Sequence, residues 1–76
     1  MTYDTDRIDD AVLALLHLTL HNGYSAWKGF DWEAMNRLYE KGFIDDPQSK
    51  TKSVVFTEEG LRRSSQLFEA MFVKQS

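Results

Sequence analysis

Apolar residues recur at helical spacing over the first third of the chain. From Asp6 to about His21, Ile8, Ala11, Val12, Leu15 and Leu18 or Thr19 fall three or four apart, which predicts a helix with that face inward. Leu13, Leu16 and Leu20 form a second stripe beside it, which a lone surface helix does not need. Either the helix is central and covered on two sides, or the second stripe meets another subunit. Thr5 or Asp6 is the expected N-cap. Asn22-Gly23 is the expected stop, because Gly accepts positive φ.

The pattern then changes. Ala26-Trp27-Lys28-Gly29-Phe30-Asp31-Trp32 packs three of the ten aromatic residues into one short stretch. Gly29 permits a bend, and Trp27 and Phe30 are expected to lie over the end of helix one as a lid. Asp31 caps a second helix, Trp32 to about Lys41, that stops at Gly42. Trp32, Met35, Leu38 and Tyr39 form its expected buried face. Glu33, Asn36, Arg37, Glu40 and Lys41 form its wet face, with Glu33 and Arg37 spaced to pair. Phe43-Ile44 and Lys52–Phe56 read as two strands around a polar turn that contains Asp-Pro. Thr57 caps the last helix, with Glu58 and Glu59 in its first turn. Leu61, Leu67, Phe68, Met71 and Phe72 are its apolar face, and the small Ser64 and Ser65 let a neighbour approach.

The predicted fold class is α+β, mostly α. It has three helices, with a two-stranded antiparallel β-hairpin between helices two and three. Residues 1–76 form one domain with frayed ends at about 1–5 and 73–76. Leu38-Tyr39-Glu40-Lys41-Gly42-Phe43-Ile44 followed by Val54-Val55-Phe56-Thr57-Glu58-Glu59-Gly60 resembles the C-terminal half of a winged-helix domain, in which the hairpin is the wing. In such domains a separate helix lies between the first and the recognition helix, and here only Asn22 to Phe30 occupies that place. Nearly end to end, the chain also resembles a small bacterial family, a domain of unknown function. Ala11-Val12-Leu13-Ala14-Leu15-Leu16, the Ala26–Trp32 stretch, Lys52-Ser53-Val54 and Thr57-Glu58-Glu59-Gly60 carry that resemblance. It implies a bacterial origin and no particular activity.

Composition narrows the function classes. A 76-residue chain buries only about 60% of its unfolded surface, so it leans on dense packing or a partner. It has no cysteine, which excludes disulfides and thiolate metal sites and fits a reducing cytoplasm. No basic-then-apolar leader opens it, and the run Ala11–Leu20 is too short to span a bilayer. The net charge of −3 originates in residues 1–10, where Asp4, Asp6, Asp9 and Asp10 stand against Arg7. The helix dipole accounts for that acidic cluster. The neutral remainder lacks the basic footprint of a nucleic-acid binder.

His17 and His21 are four apart, a spacing that can hold a metal. The reading preferred here is two solvated histidines near a helix C-terminus. No nucleophile elbow or phosphate loop is present, so no catalytic residue, cofactor or small-molecule substrate is assigned. The expectation is a cytoplasmic, non-catalytic protein-interaction module, partnered by a second copy or another protein through Leu13, Leu16, Leu20, Trp27 and Phe30. The alternative is a divergent winged-helix DNA binder that uses Lys28, Arg37, Lys50, Lys52, Arg62 and Arg63.

Overall fold

A computed structural model describes residues 2–27, 29–48 and 52–74. Helix α1, Thr5–Leu16, is followed by one 3-10 turn, His17–Thr19. Strand β1 is Ser25–Trp27, α2 is Trp32–Glu40, β2 is Ser53–Val55 and α3 is Glu58–Phe72. The architecture is α+β and mostly helical, with α1 packed against both other helices.

Helix α1 starts one residue earlier than the capping signal implied. Asp4, rather than Thr5 or Asp6, accepts from the Arg7 N–H at 3.1 Å. The helix also stops at Leu16, short of His21. Asn22 and Gly23 serve a different purpose: both have positive φ, 54° and 83°, and they turn the chain so that His21 and Ser25 exchange backbone hydrogen bonds of 2.8 and 3.0 Å. The expected caps of the other helices are present. Asp31 accepts from Ala34 N–H, and Thr57 from Gly60 N–H.

The expected pairing of 43–44 with 52–56 is formed at its base. Ile44 bridges Phe56, Asp45 donates to Val55 O at 2.9 Å, and Thr57 donates to Phe43 O at 3.1 Å. The regular two-stranded antiparallel sheet lies on the other side of β2, where Ser25 faces Val55, Ala26 faces Val54 and Trp27 faces Ser53. Part of the stretch read as a bend and lid is therefore a strand. Thr19 closes the far side of that strand. Its Oγ1 donates to Leu16 O at 3.1 Å and accepts from Trp27 N–H at 2.9 Å.

The core corrects the face assigned to α1 and trims those assigned to α2 and α3, where Met35, Leu38 and Leu67 are buried as expected. In α1 the fully buried residues are Asp9, Leu13, Ala14 and Leu16, with Val12 nearly so, while Ile8 and Leu18 are exposed. The second leucine stripe is thus the core stripe, and the stripe read as core runs along its edge. In α2, Ala34, Met35 and Leu38 are buried, while Trp32 and Tyr39 are half out in solvent. In α3, Gly60, Ser64 and Leu67 are buried and Phe68 partly so, but Met71 and Phe72 are exposed. Ala26, Ile44, Val54 and Phe56 complete the core from the strands.

One corner locks the two ends of the hairpin to α2 and α3. Gly42 has φ 82°, and the Gly42 and Phe43 N–H groups return to Tyr39 O and Leu38 O, a Schellman ending. Thr57 Oγ1 donates to Gly42 O at 2.6 Å while capping α3. Gly60 lies directly on the Phe43 backbone, so that a Cβ placed there would fall 1.6 Å from Phe43 O. Two outcomes follow for urea unfolding. Gly60→Ala forces α3 off Phe43 and costs about 2 kcal/mol or more. Leu13→Ala opens a cavity in the central helix and costs about 2–5 kcal/mol.

Candidate interaction surface

Asp9 sits one turn before Leu13 on the inward face of α1, and its side chain has only 1% of its surface in water. Two cations from α2 neutralise it. Arg37 Nε donates to Asp9 Oδ2 at 2.8 Å, and Arg37 Nη2 reaches Oδ1 at 2.8 Å, a two-pronged grip. Lys41 Nζ lies 2.9 Å from Asp9 Oδ2 and 3.1 Å from Asp6 Oδ1. Burial on its own would raise the Asp9 carboxyl. The hydrogen bonds from Arg37 and Lys41, together with their charges, outweigh it and hold the group below its ordinary value. Lys41 is held above its ordinary value: burial opposes this, but the bonds to Asp9 and Asp6 prevail.

This arrangement turns the 34–35–37–38–41 side of α2 inward and leaves its aromatics outward. Trp32 at the first position of α2 is 51% exposed, and Trp27 at the end of β1 is also 51% exposed. Phe30 between them packs partly on the core. The Trp27 ring stacks on His21 at 5.0 Å and 29°, and His21 Nδ1 lies 2.9 Å from Thr19 O. Tyr24 on the turn preceding β1 is 55% exposed. Tyr24, Trp27 and Trp32, neighbours along the chain, thus each stand half in solvent, with Trp27 braced by His21; we call this stretch the aromatic end.

The structure separates the residues singled out for partner contacts. Leu13 and Leu16 are in the core, so neither can meet a second subunit. Leu20 is partly buried against the same core. Trp27 is available, and Phe30 only in part. Among the cations assigned to nucleic acid, Lys28 and Lys50 lie outside the described residues. Arg37 is held by Asp9 and unavailable to a phosphate. Arg62 is paired with Glu59, and Arg63 lies 3.7 Å from Asp10. Lys52 is exposed.

Neither histidine is the solvated group expected. The His17 ring packs on Phe68 at 5.0 Å, and its Nδ1 is buried without a hydrogen-bond partner among the described residues. No three His, Asp or Glu among the described residues converge to hold a metal ion. No described helix is long and apolar enough to cross a membrane. Sequence reasoning missed the Asp9 cluster, though a signal was present. Asp9 is three, four and seven residues before Val12, Leu13 and Leu16, and Arg37 and Lys41 are one turn apart on the facing helix.

Comparison with known proteins places the chain among bacterial sequences. A family described as "Domain of unknown function (DUF6429)" matches residues 4–74. The chain is 61% identical over 74 residues to a protein described as "Uncharacterized protein y4hR" from Sinorhizobium fredii; the match covers 97% of this chain and 100% of that protein. No solved structure matches it.

The ionic cluster predicts a pH dependence. Asp9 contributes stability at pH values above its unfolded pKa of about 3.9, and that stability is lost as pH falls through the lower folded value. Asp9→Asn leaves two cations facing a neutral amide. Because Arg37 and Lys41 keep 28% and 32% of their side chains in water and can rehydrate, the expected cost is about 2–3 kcal/mol at pH 7. Urea melts from pH 7 down to pH 2 should show the gap between wild type and variant closing in the acid range.

Proposed function

We propose that this chain, which belongs to the DUF6429 family of domains of unknown function, is a non-catalytic, cytoplasmic protein-interaction module that meets its partner through the aromatic end. The observation that carries this reading is the exposure of both tryptophans, 51% each, on either side of a four-residue connection. A small domain short of core material has every reason to bury its two largest apolar side chains. Here the ion cluster and the strand hold them at the surface instead.

Tryptophan and tyrosine are frequent anchors at interfaces, because they present large area with few rotatable bonds. Trp27 is additionally held by His21 and by the hydrogen bond from its backbone to Thr19. A ring held in place before binding loses less entropy on docking. Asp31 fixes the entry of α2, and with it the direction in which Trp32 leaves the fold. The winged-helix likeness supports a second reading as a nucleic-acid binder less well, since Arg37, Arg62 and Arg63 are all engaged with carboxylates.

Trp27→Ala separates a surface handle from a buried lid. A fully buried aromatic would cost about 3–5 kcal/mol on truncation. For Trp27 the expectation is a loss of about 1–2 kcal/mol, with the fold retained by circular dichroism. Affinity capture with wild type and with the Trp27→Ala/Trp32→Ala variant should retain a protein with the first and lose it with the second. Equal retention, or amide shifts of α2 and Lys52 on adding duplex DNA that weaken with salt, would overturn the reading in favour of another surface or of nucleic acid.

A further inference from the structure

The turn that leads into β1 carries a reactive pair of residues. The chain has two asparagines, Asn22 and Asn36, and of these Asn22 alone precedes a glycine. Asn22, Gly23 and Tyr24 form the loop between His21 and Ser25, and all three are exposed. Asn22 and Gly23 have φ of 54° and 83°. A Cβ on Gly23 would meet nothing within 4 Å, so the peptide that joins the pair is open to water. Among the described residues, the Asn22 side-chain amide, the Asn22 C=O and the Gly23 N–H have no hydrogen-bond partner.

From this geometry we infer that Asn22 is a self-modification site, which the folded protein converts spontaneously to isoaspartate and aspartate. The Gly23 amide nitrogen gives up its proton to base in the solvent and attacks Cγ of Asn22. An N–C bond forms, the Cγ–Nδ2 bond breaks, and ammonia leaves with a proton from water. The result is a five-membered succinimide. Water then opens it at one of its two carbonyls. Opening at the main-chain carbonyl leaves isoaspartate, in which the chain runs through the side-chain carboxyl and the α-carboxylate is free. Opening at the other leaves aspartate. Overall one water is consumed and one ammonia released, with no oxidant, reductant or cofactor. Gly23 favours the attack because it sets no Cβ beside the nitrogen. The unbonded turn peptide can rotate toward the attacking geometry without breaking a hydrogen bond. Asn36 is the internal contrast: it lies within α2, where the helix holds the backbone of the following Arg37.

The position gives the conversion an effect. Both products place a negative charge in the loop beside the aromatic end. Isoaspartate also adds a methylene to the main chain of a short loop whose ends are pinned by the 2.8 and 3.0 Å bonds between His21 and Ser25. His21 is the ring that stacks on Trp27. A longer loop slackens that closure, and with it the brace behind Trp27, whereas aspartate leaves the backbone length unchanged. The inference does not rest on the aromatic end binding a partner.

Incubation of the full chain at neutral and mildly alkaline pH, followed by peptide mapping with mass spectrometry, tests the inference. Asn22 of the folded protein should convert at a rate within about tenfold of that of the same chain unfolded in guanidinium chloride, as expected for a loop that opens at little cost. The rate should rise with pH, and Asn36 should stay intact. Asn22→Gly, which keeps a residue suited to positive φ, should give no product at this turn. Retention of Asn22 in the folded protein while the unfolded chain converts it would overturn the inference, because the fold would then protect the site. Conversion of Asn36 at the same rate would overturn it too, since the turn would then confer nothing. The isoaspartyl form, once separated, should show a Trp27 indole resonance shifted from that of Asn22→Asp. An identical resonance would overturn the effect on the Trp27 brace.

Discussion

A single buried carboxylate sets how the helices of this domain face one another. Asp9 has almost no contact with water, so it is tolerable only with Arg37 and Lys41 upon it. Those two cations lie four apart on α2, and bringing both to Asp9 turns that helix about its axis. Relative to the faces that apolar spacing alone selects, α1 is rotated by about one residue, or about 100°, and α2 by a smaller turn that keeps Met35 and Leu38 inward while Ala34 replaces Trp32 and Tyr39. The same rotation that carries Leu13, Leu16 and Ala34 inward carries Ile8, Trp32 and Tyr39 outward. The exposure of Trp32 thus follows from the turn that the ionic cluster gives α2, while that of Trp27 is set by its place at the end of β1.

A second constraint is steric. Gly42 ends α2 with positive φ, Thr57 ties Gly42 to the start of α3, and Gly60 accepts the Phe43 backbone where no side chain fits. Residues from two separate parts of the chain, Gly42 and the Thr57–Gly60 turn, therefore share one corner. The corner fixes where α3 begins, and so how far its other end reaches beyond the core. The overhang of Met71 and Phe72 is set at the opposite end of the helix.

Punctuation was the most legible part of the sequence. Asp31, Gly42 and Thr57 have the predicted capping roles because each acts through its own backbone neighbours. The order of helices, the hairpin pairing at Ile44 and Phe56, and the family resemblance were legible for the same local reasons. Faces were less so. A period count that admits only apolar residues treats Asp9 as solvent-facing, and it then settles one residue off the true stripe. In the sequence Asn22-Gly23 has the form of a helix stop, but it closes a reverse turn; positive φ serves both, and only the partner strand decides between them. Strand β1 went unseen because three residues are too few for alternation to register, and its partner Ser53–Val55 lies far along the chain. Of the five residues proposed for protein contact, Leu13 and Leu16 proved to be core, while Trp27 stands at the surface.

The hydroxyl of Thr19 has an effect beyond its two hydrogen bonds. By accepting from Trp27 N–H, it occupies a backbone donor on the flank of the sheet that faces away from β2. An unoccupied row of such donors and acceptors is a template on which strands of other molecules can add without limit, the first step toward insoluble fibrils. With the Trp27 N–H taken by Thr19 and the Ser25 backbone groups taken by His21, the described part of that flank offers no such row. A domain that exposes aromatic rings beside a short sheet is in this way guarded against strand-by-strand polymerisation.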